Sequence, residues 1–169
     1  MIERPLFPLK LPWNATAYII IYRFTIEMGT IFRQINYNKF EVRKAVQAML
    51  DQAMKEPDRP VAIAVVDASG RLVEFVRMDH CRLIPQQIAF KKAYTAAIMR
   101  SDSKLVGERF QNMGRSLSEF GDPNLLGFQG AVVVERPSDQ MFLGAIGVSG
   151  LAAEEDEALA RLGVEAMGL

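Results

Sequence analysis

The chain has 169 residues with 20 basic and 20 acidic side chains, so its formal net charge is zero. This length is enough for one domain with a hydrophobic core, and the balanced charge argues against a broad basic surface for nucleic acid. A single cysteine, Cys81, excludes a disulfide within the chain, and a single histidine, His80, excludes a metal site built from several histidines. We therefore expect a cytoplasmic protein that binds neither nucleic acid nor a membrane.

The first 35 residues differ in composition from the rest of the chain. Three prolines and the only tryptophan, Trp13, lie within the first 14 residues. An apolar run follows, but Arg23 and Glu27 end it well short of the roughly 20 apolar residues that a membrane-spanning helix needs. We interpret residues 1–35 as an extension or arm ahead of a domain at 36–169. Two alternatives stay open: an extension that precedes a natural start at Met28, or an arm that contributes to an oligomer.

The domain begins with a predicted helix and a predicted β-hairpin. Apolar residues recur at helical spacing from residue 40 to residue 53, and Asn38 with Glu41 fits a capping box at the start of that helix. Residues 61–67 are almost all apolar, which is typical of a strand covered on both faces. The segment Asp67–Gly70 suits a tight turn, so residues 71–77 are predicted to return as an antiparallel strand.

The second half of the chain predicts helices followed by another hairpin. Residues 85–100 suit a helix with a stripe of alanines, and residues 101–120 are helical in character. Residues 131–135 and 141–148 form the second hairpin, and Ser149 is expected to cap a final helix. The residues predicted to be buried on these two later helical segments are Leu105, Phe110, Met113 and Leu117 on the first, and Leu159, Leu162 and Ala166 on the second.

The glycines of the last predicted strand, Gly144 and Gly147, and Gly150 beyond it indicate close backbone approach. The whole order is helix, hairpin, helices, hairpin, helix. Strands that come in antiparallel pairs predict an α+β fold, with a central antiparallel β-sheet flanked by helices.

Three separated blocks carry a resemblance to a known family. They are VAIAVVDASGRLVEFVRMD at 61–79, IAFKKAYTAA at 88–97 and LGAIGVSGLAAEEDEALA at 143–160. In this order they resemble the GlcG/HbpS family, which includes the C-terminal domain of PduO-type cobalamin adenosyltransferases. The resemblance covers about residues 36–169 and implies a profilin-like fold that assembles into dimers or larger homo-oligomers, often octamers. It also implies a small-molecule ligand, which is haem in some members and iron in others.

The resemblance extends to individual positions, with two departures. Where the family has small residues after its "RMD" motif, this chain has His80, Cys81 and Arg82, and residues 129–133 lack the family's Gly-Gly and proline. Both departures lie where a ligand could be contacted. The matching positions are Asp67 and Gly70 in the first turn, Arg77, Met78 and Asp79 as "RMD", Lys92 and Ala93 as "KA", Gly144, Gly147, Ser149 and Gly150 in "GAIGVSG", and Asp156 in the last helix.

The charged residues among these positions have two interpretations. Arg77, Asp79 and Lys92 either form an ordinary salt-bridge cluster or line a pocket for an anion, such as a carboxylate or a haem propionate. In the second case, backbone N–H groups near Ser149 and Gly150 complete the ligand-binding set.

The histidine and the acidic residue of the last helix are candidate metal ligands. His80 is the first choice as an axial ligand for haem iron, with Met78 second, while a solvated histidine at a strand end is the plain alternative. Asp156 is either a weak metal ligand or base, or an acid that complements the helix dipole.

Two functions follow from these residues. The first is an oligomeric small-molecule-binding protein that holds haem or an anionic metabolite at the Arg77–His80 strand end. The alternative is an enzyme or accessory subunit that acts on a small carboxylate of a catabolic pathway, with Arg77 and Lys92 as anchors. No nucleophile–base pair or cofactor fingerprint is visible, so the sequence favours the binding protein.

Overall fold

The computed structural model describes residues 39–169, so the predicted arm at 1–35 and the Asn38 cap lie outside the described residues. Within that range four strands and four α-helices form the α+β fold that the sequence predicts. In chain order the elements are α1 (Lys39–Ala53), β1 (Ala62–Asp67), β2 (Leu72–Arg77), α2 (Leu83–Met99), α3 (Ser103–Asn112), a 3₁₀ helix (Leu117–Phe120), β3 (Ala131–Arg136), β4 (Met141–Ser149) and α4 (Ala153–Met167).

The four strands form one antiparallel sheet in the order β2-β1-β4-β3, the central sheet of a profilin-like fold. The two hairpins meet through their inner strands, and the register places Ala62 opposite both Arg77 of β2 and Ser149 of β4. All six residues of β1 are buried, as the apolar run predicted. The C-terminal ends of β2 and β4 therefore lie side by side with the start of β1 between them, at one end of the strands.

Helices cover both faces of the sheet. Successive side chains of a strand point to opposite faces, so β1 contributes to two separate cores. Ile63 and Val65 pack with α1 and α4, whereas Ala62, Ala64 and Val66 pack against the alanine stripe of α2. The stripe consists of Ala89, Ala93, Ala96 and Ala97, all fully buried or nearly so.

The predicted turn between β1 and β2 is confirmed. The Asp67 side chain accepts hydrogen bonds from the backbone N–H groups of Ser69 and Arg71 at 2.8 and 3.0 Å, and Gly70 has a φ of 75°. Beyond the turn β2 is an edge strand, and Leu72 and Phe75 remain partly exposed because no strand lies outside it.

The predicted buried line in residues 101–120 is wrong at two positions. Leu105 and Met113 are more than half exposed, whereas Ser103, Val106 and Phe110 face inward. The helix also ends at Asn112, and a separate 3₁₀ turn follows at Leu117–Phe120. Hydrophobicity misled the prediction because the inward positions of this short helix are fixed by its start at Ser103, which hydrogen-bonds to Ala131 of β3.

The predicted helix cap at Ser149 is also wrong. Strand β4 continues through Ser149, and α4 begins only at Ala153. The two backbone N–H groups just before the helix have acceptors in its first turn, since Glu155 accepts from Ala152 N and Asp156 accepts from Leu151 N. Of the predicted core positions of α4, Leu159 is buried, while Leu162 and Ala166 are only partly buried.

None of the helices within residues 39–169 combines the length and the apolar character that crossing a membrane requires.

Gly147 allows α2 to lie directly on β4, so we expect Gly147→Ala to destabilise the fold. A methyl group there would overlap the Ala89 carbonyl oxygen and lie 2.7 Å from the Ala93 nitrogen, both of which are helix backbone. Overpacking of this kind costs about 1–3 kcal/mol, measured as the free energy of unfolding in urea.

The matched control is Gly163→Ala in α4, where the added methyl meets only the flexible thioether of Met49, with its sulfur at 2.7 Å. That variant also gains helix propensity of about 1 kcal/mol. Equal loss of stability in the two variants would contradict the close approach of α2 to β4.

Candidate functional site

Lys92 and Asp156 are the most deeply buried of the predicted site residues. The Lys92 ammonium group donates hydrogen bonds to the Val148 carbonyl oxygen at 3.0 Å and to Asp156 Oδ2 at 2.8 Å. The Lys92 and Asp156 side chains are only 4% and 3% exposed. The buried ion pair therefore joins α2, the end of β4 and the first turn of α4.

Both carboxylate oxygens of Asp156 accept hydrogen bonds from within the protein. Its Oδ1 accepts from Leu151 N at 3.0 Å, and its Oδ2 accepts from Lys92. Burial raises the pKa of Asp156 above the ordinary value of an aspartate, while the hydrogen bond and charge of Lys92 oppose that rise. Because both oxygens have protein partners, the geometry favours an ion-pair role for Asp156 over the predicted role as a metal ligand or base.

Gly130 makes room for this ion pair, although it is not among the site residues predicted from the sequence. A methyl group on Gly130 would lie 2.5 Å from Lys92 Nζ, and the residue has a φ of 125°, which side chains rarely adopt. The sequence does carry a signal for Gly130, because a glycine directly before a buried strand often marks a place where another group approaches the backbone closely.

The predicted cluster of Arg77, Asp79 and Lys92 does not form. Arg77 lies on the exposed edge strand opposite Ala62, and Ala62 is opposite Ser149, next to the Val148 carbonyl that Lys92 reaches. Two strand spacings, about 10 Å, therefore separate the backbones at the two ends. Lys92 pairs with Asp156, while Arg77 and Asp79 are exposed on the far side of β1.

His80 lies at the rim of a cleft of about 600 Å³, which we call the His80 cleft. The residue is exposed and has a φ of 63°, a left-handed conformation that directs the chain from β2 into α2. The cleft brings together His80 and Gly150 of the predicted set. Its other lining residues include Arg59, Pro60, Arg82 and Pro85.

The two arginines of the His80 cleft differ in their partners. Arg59 is held by Glu56 and Glu155 in ion pairs. The Arg82 guanidinium makes no hydrogen bond or ion pair with another residue of the described range 39–169. Arg82 is therefore the cation in this cleft that is available to an anionic group. In the sequence it stands out only as a departure from the family pattern.

Met78 and Cys81, which are near His80 in sequence, do not line the His80 cleft. Met78 is 6% exposed and belongs to the core shared by α1 and α4, so it is unsuited to the predicted role of second haem ligand. Cys81 is equally buried, in the core under α2, where burial raises the pKa of its thiol although the charge of Arg77 opposes the rise. Among candidate iron ligands at this strand end, only His80 is exposed at the cleft.

A second cleft of about 400 Å³ lies at the end of β4, and we call it the Ser149 cleft. Lys92, Ser149 and Asp156 of the predicted set line it, together with the apolar side chains of Ile88, Phe128 and Leu151. The predicted ligand-binding residues are therefore divided between two clefts, with Arg77 and Asp79 in neither. Over residues 39–169, no group of three or more His, Cys, Asp or Glu side chains is arranged to hold a metal ion.

These features define a small profilin-like α+β protein with two ligand-sized clefts at one edge of its sheet. The sequence model of the family described as "Haem degrading protein HbpS-like" matches residues 38–165. Protein GlcG of Escherichia coli strain K12 is 34% identical over 109 residues, which are 64% of this chain and 78% of that protein. The chain belongs to the HbpS-like family.

Other relatives agree with the fold. Corrinoid adenosyltransferase PduO of Citrobacter freundii is 27% identical over 76% of this chain, which corresponds to 38% of that longer protein. A crystal structure of HbpS superposes with a TM-score of 0.68 at 25% identity, covering 79% of this chain and 92% of HbpS. A crystal structure of a PduOC–haem complex gives a TM-score of 0.69 at 24% identity, covering 78% of this chain and 94% of the other.

The buried ion pair makes a prediction about stability. Lys92→Met leaves the Asp156 carboxylate buried without its cation, so we expect a loss of about 3–5 kcal/mol in the free energy of unfolding. The double variant Lys92→Met/Asp156→Asn removes the charge and keeps an oxygen for Leu151 N, so it should recover most of the loss. Chemical denaturation at pH 7 measures both values.

The matched control is the exposed ion pair of Arg115 with Glu119. Arg115→Met should change stability by about 1 kcal/mol or less, since exposed pairs contribute little. A Lys92→Met loss as small as that of Arg115→Met would show that the pair is not buried as described.

Proposed function

We propose that this protein binds haem in the His80 cleft, with His80 as the axial ligand to the iron and Arg82 as the partner of a propionate. One observation carries the proposal: the only histidine of the chain is exposed at the rim of a cleft that also holds an arginine without a partner in residues 39–169. The name of one relative and the description of the family support it, because the relative is a haem complex of PduOC and the family is described as haem-degrading.

The residues present fit the group. Haem, when bound, would supply an iron that the imidazole of His80 could ligate, and its propionate carboxylates would need a cationic partner. Arg82 offers a planar fork of N–H donors suited to a carboxylate. The prolines at 57, 60 and 85 give part of the cleft rigid apolar walls. A cleft volume of about 600 Å³ lies within the usual range for small-molecule sites.

The alternative of an enzyme or accessory subunit acting on a small carboxylate relied on Arg77 and Lys92 as joint anchors. These residues lie on opposite sides of β1 and share neither cleft. We therefore do not propose that form of the activity.

Haem titration followed by visible absorption tests the proposal. The wild-type protein should shift the Soret band, and His80→Ala should weaken binding by at least about tenfold, which corresponds to about 1.4 kcal/mol, because it removes the iron ligand. Arg82→Ala should weaken haem binding while leaving the band position unchanged, because the iron ligand is intact.

The control is Cys81→Ser, which alters a buried thiol outside the cleft and should leave both the spectrum and the affinity as in wild type. An unchanged Soret band and affinity in His80→Ala would overturn the assignment of His80.

The proposal includes self-association of the chain in the cytoplasm. The zero net charge supports it, because copies of the chain do not repel one another, and so does the partly exposed apolar edge strand β2. Multi-angle light scattering should give a mass that is a multiple of the 18.9 kDa chain. A monomer at micromolar concentration would contradict self-association without bearing on haem binding.

A further inference from the structure

Ser149 is a buried polar residue whose hydroxyl group has no partner among the described residues. It is 6% exposed, and its hydroxyl group makes no hydrogen bond to any residue in the described range 39–169. Buried hydroxyl groups in folded proteins almost always have a hydrogen-bond partner. A buried hydroxyl without one in the protein therefore indicates that a bound molecule supplies the partner. Ser149 lines the Ser149 cleft, beside the buried ammonium group of Lys92.

Two further donors reach the same cleft. The Lys92 ammonium has three N–H groups, of which two are directed to the Val148 carbonyl and to Asp156. Ala153, which also lines the cleft, is the first residue of the 15-residue helix α4, and a helix leaves its first N–H groups without intrahelical acceptors. The Ser149 hydroxyl, the third N–H of Lys92 and the backbone N–H of Ala153 therefore lie at one cleft, and none of the three has an acceptor within residues 39–169.

The charges that line the Ser149 cleft favour a ligand with a single negative charge. Asp156 already neutralises Lys92, so the cleft has hydrogen-bond donors but no net positive charge. Such a site suits a singly charged anion better than a phosphate dianion, which needs additional cations. The walls formed by Ile88, Phe128 and Leu151 are apolar, so the ligand has an apolar body.

We propose that the Ser149 cleft is a second ligand site, separate from the His80 cleft, that binds small organic monocarboxylates. The carboxylate accepts hydrogen bonds from Ser149 Oγ, Lys92 Nζ and the first turn of α4, and its hydrocarbon part packs against Ile88 and Phe128. A cleft of about 400 Å³ suits a molecule of roughly the size of benzoate or isovalerate.

Titration with sodium benzoate and sodium isovalerate, followed by amide chemical shifts and by thermal unfolding, tests this site. Both probes should shift the amide signals of Ser149, Leu151 and Ala153, and both should raise the unfolding temperature. Inorganic phosphate at the same concentration should do neither. Ser149→Ala should weaken benzoate binding by about tenfold or more, since it removes a hydrogen bond to a charged group.

The matched control is Ser103→Ala, at a buried serine that has its partners. Ser103 Oγ accepts from Ala131 N at 2.9 Å and donates to the Ala131 carbonyl oxygen at 3.3 Å. This variant should lower the stability of the free protein and leave benzoate binding unchanged. Ser149→Ala should show the reverse, with the free protein as stable as wild type or more so, because an unsatisfied buried hydroxyl is removed.

Three results would overturn the proposal. The first is the absence of any benzoate or isovalerate effect on these amides, and the second is unchanged benzoate affinity in Ser149→Ala. The third is phosphate binding as strong as benzoate binding. Failure here is distinguishable from failure of the haem proposal, because His80→Ala should leave benzoate binding intact and Ser149→Ala should leave the Soret shift intact.

Discussion

The ion pair of Lys92 and Asp156 is the constraint on which this edge of the molecule depends. It joins a helix on one face of the sheet to the first turn of a helix on the other face, past the end of β4. The distance between two buried charges can change little, because separating them would leave each charge buried and uncompensated, at a large cost in desolvation free energy. The pair therefore fixes where β4 stops and where α4 starts.

Both clefts follow from that arrangement. Since β4 runs through Ser149 and α4 begins at Ala153, the short connection at Gly150 lies over Pro60 and separates the two clefts. On one side lie the arginines and the lone histidine, which suit a large anionic group with an iron to ligate. On the other side the cation is neutralised and the walls are apolar, which suits a smaller anion. The two clefts differ in chemistry although they share one strand end.

The sequence predicted the fold well because the signals were local and redundant. The apolar run of β1, the Asp67–Gly70 turn and the alanine stripe of α2 each specify one element, and the structure contains all three. Prediction failed where a residue's role depends on a distant contact. Hydrophobicity placed Leu105 and Met113 inside, but the hydrogen bonds of Ser103 to Ala131 orient that helix differently.

The candidate site shows the same division. Composition alone determined that there is one histidine, one thiol and no excess charge, and the motifs determined the family and the residues at stake. Which residues meet was decided only by the tertiary structure: Lys92 bonds to Asp156, 64 positions away, and not to Asp79. The physical reason is that burial and partner choice depend on how the helices pack against the sheet, and spacing along the chain does not encode that packing.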